Sequence, residues 1–278
     1  MRNFLKAICL SLAIPILLLT ACSINSSGGE DIPIQTTTLA AATEADPNVK
    51  RVLIPEGFTF WQIAQRLEQE GICGARAFFD AAQSYEVQSF EVPKDPDVAY
   101  RYEGYLWPAT YELELGEDPV SVLRKMLNAY AANSGMPDRK TLILASIIER
   151  EVRSDEQMAL VSSVFHNRMT DKSERWTLGS CPTRDYVNDF IVQEGTWIKN
   201  PDRFRVLFNT TRRDFNSNNF PLPAGAICNP GIRAINAALN PAKSDYFFFF
   251  FSADNVNHYS KTYKEHQEKI KEFGLGTF

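Results

Sequence analysis

The sequence predicts an α+β protein whose strands lie near its two ends, with a run of helices between them. Three observations lead there. Apolar residues at Phe60, Ile63, Ala64 and Leu67 recur at helical spacing, and similar stripes return further along. Six aromatics in succession, Tyr246 to Phe251, read as a buried strand. The intervening segments rich in Gly, Pro, Asn and Ser read as loops, and no internal repeat is evident. At 278 residues and 44% hydrophobic content, the chain is long enough for one or two domains with a real core.

Composition excludes several functions. Lys and Arg number 29 against 34 Asp and Glu, a formal net charge of −5, so no basic surplus draws the chain to phosphate backbones and nucleic acid is not an expected partner. Three histidines (His166, His258, His266) without an HExxH or CxxC pair give no metal site. No GxxxxGK[ST] or GxGxxG run offers a nucleotide cradle, and no cofactor is expected.

Residues 1–21 have the order of a secretory signal: Arg2 and Lys6, an apolar stretch from Ala7 to Leu19, then small residues. The apolar run is short for a membrane span and contains Pro15. Leu19-Thr20-Ala21-Cys22 resembles a bacterial lipobox, which makes Cys22 the expected lipidation site and places the protein on the extracytoplasmic face of the bacterial cell membrane. Residues 22–48 carry Ser, Thr, Gly and Ala but no aromatic, the composition of a flexible tether. Cys73, Cys181 and Cys228 remain in the ordered part. Cys181 and Cys228 share its loop-rich half, where a bridge and free thiols are both open readings.

Order is expected from Val49. Val52-Leu53-Ile54 is strand-like, Phe60–Leu67 helical with Gly71 as its stop, and Ala75–Ala82 a second short helix. A strand-helix-helix unit of this size suits a small binding module or a packing appendage. The aromatic run 102–111, YEGYLWPATY, is either a sugar-stacking surface or core, the commoner use. Asp118-Pro119 opens a helix striped by Leu123, Met126, Leu127 and Tyr130.

Asp138 caps the next helix, whose unbroken run Leu142–Ile148 predicts burial nearly all round. It ends in Glu149-Arg150-Glu151. The two glutamates point about 160° apart and cannot serve one reaction centre together. Ser154-x-x-Gln157 caps a following helix, so Glu151 falls in a last turn, where burial and the helix dipole both raise a carboxyl pKa toward general-acid use. Solvated glutamates at a helix end are the alternative. Three loop stretches follow, at 178–183, 215–218 and 222–231. Then come a helix from about Ile232 to Leu239, the aromatic strand with Val256–Tyr259 pairing back, and a last helix from about Lys261 to Phe273.

ASIIEREV at 145–152, LGSCPT at 178–183, FNSNNFPLPAGAICNPG at 215–231, NPAKSDYFFFFFSAD at 240–254 and NHYSKTYKEHQ at 257–267 together resemble the YceG-like endolytic murein transglycosylases. IPEGFTFWQIAQRLEQEGI and YEGYLWPATYEL resemble that family's N-terminal LysM-like region and its joining segment. The resemblance implies a LysM-like module at 49–100 and a mixed helix/sheet catalytic domain at 101–278. It implies cleavage of nascent peptidoglycan strands between N-acetylmuramic acid and N-acetylglucosamine, leaving 1,6-anhydro ends and terminating elongation. Of the A-S-I-x-E-x-E glutamates, Glu151 is expected to be catalytic, with Glu149 the alternative. Ser180, Asn216, Asn218, Gly225 and Asn229 are expected to position the substrate, and peptidoglycan synthases or the elongation or division machinery to be protein partners. Most relatives keep a transmembrane helix, which the lipid tether would replace. A hydrolytic muramidase, a non-catalytic wall-binding scaffold and a solute-binding lipoprotein are competing readings, although the two-lobed rhythm of the last is absent.

Overall fold

Alternation along the first ordered strand sets the frame. In β1 (Val49–Ile54), Val52 and Ile54 turn inward while Arg51 and Leu53 face out. Its antiparallel partner is β2 (Ala109–Glu114), in register from Val49 opposite Glu114 to Ile54 opposite Ala109, with Tyr111 and Leu113 buried. The computed structural model describes residues 46–173, 176–193, 197–211, 222–252 and 256–275. The expected signal peptide, the Cys22 acceptor and most of the tether lie outside these.

Between the two strands run α1 (Phe60–Gln69) and α2 (Ala75–Ser84). Thr59 and Gln62 close a full capping box at the start of α1, and Gly71, at φ +73°, ends its run in the left-handed region. Phe60 is fully buried and stacks between Phe78 and Tyr100, with centroids 5.3 and 5.1 Å away. Tyr102, Leu106 and Tyr111 are likewise buried, so the 102–111 run serves mainly as core and not as an open sugar platform.

α3 (Pro119–Asn133), α4 (Arg139–Glu151) and α5 (Asp155–Thr170) follow, capped by Asp118, Asp138 and Ser154 as the sequence predicts. Every residue of α4 from Leu142 to Glu149 is buried, because α5 and α8 (Ile232–Leu239) both pack on it. Ile147 and Ile148 each contribute roughly 1.5–3 kcal/mol by that burial.

Two expectations need correction. The 178–183 loop is not loop throughout: α6 (Cys181–Tyr186) begins inside it, with Pro182 at the helix start where its missing N–H costs nothing, and a π-helical segment, Val187–Gln193, continues from it. A single turn, Pro201–Arg203, and α7 (Phe204–Leu207) follow. The aromatic strand is shorter and less buried than expected. β3 (Phe248–Phe251) pairs antiparallel with β4 (Asn257–Ser260) as predicted, but a two-stranded ribbon cannot enclose both its faces. Phe249 packs on Phe165 of α5, while Phe248 and Phe250 meet His266 of α9 (Tyr263–Glu272), and Phe251 is left exposed.

Candidate active site

Position 151 is the last residue of α4, just before the chain turns extended at Val152. Glu151 is half-buried there, and its Oε1 accepts a 2.8 Å hydrogen bond from Ser180 Oγ. Ser180 is held by a cluster of hydroxyls. Its N–H donates to Thr210 Oγ1 at 3.1 Å, its carbonyl accepts from Thr183 Oγ1 at 2.7 Å, and the two threonine hydroxyls lie 3.0 Å apart. Thr210 also accepts the Gly179 N–H through its carbonyl, at 2.9 Å. Two loops far apart in sequence are thus tied together so that one serine hydroxyl points at one carboxylate.

Burial pushes the Glu151 carboxyl up to about 7. The Ser180 hydroxyl and the Arg168 guanidinium pull it down, and the Asp185 carboxylate adds to the rise. Arg168 is fixed by donating Nε to the Phe247 carbonyl (2.7 Å) and Nη1 to the Leu178 carbonyl (2.5 Å), with its guanidinium over the Phe248 ring. Burial lowers its pKa to about 10 and the Glu151 charge opposes this, so it remains a cation near neutral pH.

Glu149 is placed differently. It is buried, and its Oε2 accepts the Gly231 N–H at 3.1 Å, which ties α4 to the start of α8. Burial raises its pKa, against the pull of that hydrogen bond. The two glutamates diverge, as helical geometry requires. Beside Ser180 opens a pocket of about 260 Å3 lined by residues of α6, of the start of the π-helical segment and of the 205–211 segment, among them Cys181, Asn188 and Asn209. Among the described residues, no three His, Cys, Asp or Glu side chains converge on a metal position.

A model of the YceG-like family matches residues 33–272. The chain belongs to the YceG-like family. It is 30% identical over 191 residues to the endolytic murein transglycosylase of Bacillus subtilis, covering 63% of this chain and 49% of that protein. To the protein of the same name from Streptococcus pneumoniae strain D39 it is 25% identical over 257 residues, covering 82% and 45%. The chain therefore spans about half the length of the curated relatives it matches. A crystal structure of a yceG-like protein from Listeria monocytogenes superposes with a TM-score of 0.56 at 27% identity, covering 78% of this chain and 74% of that one.

Within this YceG-like fold two of the other expected substrate residues, Asn229 and Gly225, are engaged away from Glu151. Asn229 is fully buried. Its Oδ1 accepts the N–H groups of Gly104 (2.9 Å) and Leu106 (2.8 Å), and its Nδ2 donates to the Phe58 carbonyl and to Glu103 Oε1, both at 3.0 Å. With every polar atom engaged it has nothing to offer a sugar; it is a structural staple. Gly225 is also buried, and the group that approaches it is protein: a Cβ there would lie 2.9 Å from the Val98 side chain. Ser180 does reach the site, where its hydroxyl orients Glu151. Asn216 and Asn218 lie outside the described residues. Cys181 and Cys228 are not bridged: Cys181 is exposed on α6, while buried Cys228 donates its Sγ to the Ser146 carbonyl at 3.2 Å.

Sequence reasoning missed Glu103. Buried beside Asn229, its carboxylate accepts from the Phe60 N–H through both oxygens (2.9 and 3.0 Å), from Tyr186 Oη (3.0 Å) and from Asn229 Nδ2. Burial pushes it up to about 8, and these donors pull against that. It links α1, the 102–106 segment and α6, and so sets where α6 presents Ser180 to Glu151.

Proposed function

We propose that this chain is a lytic transglycosylase that cuts peptidoglycan strands internally, with Glu151 as its acid and then its base. The names of the relatives support the substrate class. The observation that carries the chemistry is one half-buried glutamate at a helix end, raised to about 7 and oriented by a serine hydroxyl. Such a carboxyl is protonated often enough near neutral pH to give its proton to the leaving glycosidic oxygen, and basic enough afterwards to take one back. As the C1–O bond breaks, the sugar's own 6-hydroxyl oxygen bonds to C1 and its proton passes to Glu151. The carboxyl is regenerated, no water is consumed, and the new end is a 1,6-anhydro-muramic acid. Arg168 steadies the carboxylate between the two transfers.

Asp185 favours a second reading. Its charge is felt by Glu151, and paired carboxylates are the apparatus of a hydrolase. Mass spectrometry of uncrosslinked glycan strands digested by the protein separates the two. Anhydro-ended fragments are expected, one water lighter than the reducing-end fragments a muramidase leaves.

The pH profile carries the sign of the mechanism. The acid must start protonated, so kcat/KM falls above about 7, close to tenfold per pH unit. Ser180→Ala removes a hydrogen bond favouring the carboxylate and moves this limb to higher pH. Asp185→Asn removes a nearby negative charge and moves it to lower pH. A limb that stays put in both variants assigns it to another group.

The wider setting belongs to the same proposal. Residues 49–100 are read as the LysM-like part and 101–278 as the catalytic part, whose β2 pairs back on β1. Cys22 would carry the lipid and residues 22–48 the tether, holding the enzyme at the outer face of the cell membrane where nascent strands are made. Cutting there would terminate elongation beside the synthases. Cys22→Ala is expected to release the protein into the soluble fraction; full retention in the membrane fraction would remove the lipid anchor from the reading.

A further inference from the structure

We propose that the groove between the outer face of α1 and the π-helical segment 187–193 grips the glycan strand away from the bond being cut, a reading that rests on the strand-cleaving function above. The groove has a volume of about 500 Å3, within the range of small-molecule sites. Phe58, Trp61 and Phe190 form its apolar walls, each half-buried. Trp61 is braced by Trp197, with ring centroids 4.4 Å apart; Phe58 lies under the Arg66 guanidinium at 5.6 Å and Phe190 under that of Arg150 at 5.8 Å. Rings fixed in this way lose little freedom when a flat ligand stacks on them.

The polar lining decides the ligand class. Gln65, Gln69 and Gln193 border the groove, and none of their side-chain amides bonds to another described residue. An amide both donates and accepts, which suits hydroxyl and acetamido groups alike. Charge is balanced, with Arg66 and Asp189 the charged residues of the lining, so the site has no bias toward phosphate or toward an acidic or basic peptide. Aromatic faces ringed by neutral amides fit an N-acetylated sugar chain.

Position ties the groove to the reaction. Arg150 precedes Glu151 in the last turn of α4, and its Nη1 donates to the Gly57 carbonyl at 3.4 Å while its guanidinium covers Phe190. One side chain thus joins the helix end bearing the acid to one wall of the groove, Phe190, and to the backbone immediately before another, Phe58. A strand held on that side extends past the cut, as internal cleavage requires.

The test measures binding without turnover, in the full chain carrying Glu151→Gln. The probes are uncrosslinked glycan strands, an N-acetylglucosamine hexamer and a glucose hexamer. Adding Gln65→Ala with Gln69→Ala is expected to raise the Kd for strands and for the N-acetylated hexamer by about tenfold, the loss of one or two net hydrogen bonds. The glucose hexamer should bind far more weakly than its N-acetylated counterpart. Trp61→Ala should weaken binding further, but it also unpacks Trp197, so the glutamine pair is the deciding variant. An unchanged Kd in that pair, equal affinity for the two hexamers, or no strand binding at all overturns the proposal. Strand cutting is not read here, so its failure in the parent protein bears only on the proposed reaction.

Discussion

Glu151→Gln is expected to lower the rate of strand cleavage by roughly 10²–10⁴-fold, the usual worth of a positioned acid–base group, and to leave the fold intact. An amide matches the carboxyl in size and still accepts from Ser180 Oγ, now at 2.8 Å from Glu151 Oε1, so the loop that presents Ser180 has no reason to move. What the amide lacks is a proton to give. Removing a half-buried group whose charged form is disfavoured should also leave stability unchanged or slightly raised near and above pH 7. The sign follows from linkage: a carboxyl raised to about 7 binds its proton more tightly in the folded state, so its contribution is most favourable at low pH and is lost as pH rises from the unfolded value through 7. The matched control is Glu149→Gln, which keeps an acceptor for the Gly231 N–H and should remain active. Initial rates of product formation for both variants, with circular dichroism and thermal midpoints as the check on folding, decide the matter. An inactive Glu149→Gln beside an active Glu151→Gln would exchange their roles.

Local signals were legible in the sequence, while long-range pairings were not. Asp118, Asp138 and Ser154 were readable as caps because a cap and its N–H partner lie three residues apart. The full burial of α4 followed from its unbroken apolar run, and the divergence of Glu149 and Glu151 from helix geometry alone. Asn229 was expected at the substrate because it stands in a polar loop within the 215–231 stretch that carries the resemblance. Its partners at Phe58, Glu103, Gly104 and Leu106 are over 120 residues away in sequence, so no local pattern reveals them. Two missed residues did carry a signal. Glu103 is the one charge inside YEGYLWPATY, and a lone carboxylate in an aromatic run must find buried donors. Arg168 stands four residues after Val164, on the apolar stripe of α5, where a cation needs an anion or carbonyls to face. The π-helical segment has neither helical nor strand periodicity and left no such trace. Yet it supplies Phe190 to the groove and, through the Phe190 carbonyl, an acceptor for Tyr100 Oη at 2.6 Å.

Asn229→Ala is expected to be the most destabilising single change at the base of the site, by roughly 3–5 kcal/mol. The side chain makes four hydrogen bonds, and its removal strands the Gly104 and Leu106 N–H groups in a fully buried setting. Water cannot readily replace them. Gly104 sits at φ +92°, and a Cβ there would lie 2.8 Å from Ala226, so its surroundings are closely packed. The Glu103 carboxylate loses one of its donors at the same time, which makes its ionised form costlier still. The defect therefore grows with pH: Glu103, already raised to about 8, is pushed higher, and the penalty for ionising it appears above neutrality. Urea denaturation at pH 6 and pH 9 measures both effects, as a lower midpoint at unchanged slope and a larger loss at the higher pH. Asn229→Asp gives the complementary result. It retains the acceptor for the two N–H groups but places a second carboxyl against Glu103, so it should approach the parent at low pH and fall toward the alanine variant as both carboxyls ionise. A protein as stable as the parent after Asn229→Ala, but unable to hold glycan strands, would return Asn229 to substrate recognition. The staple would then have to be sought in Glu103 and Tyr186 alone.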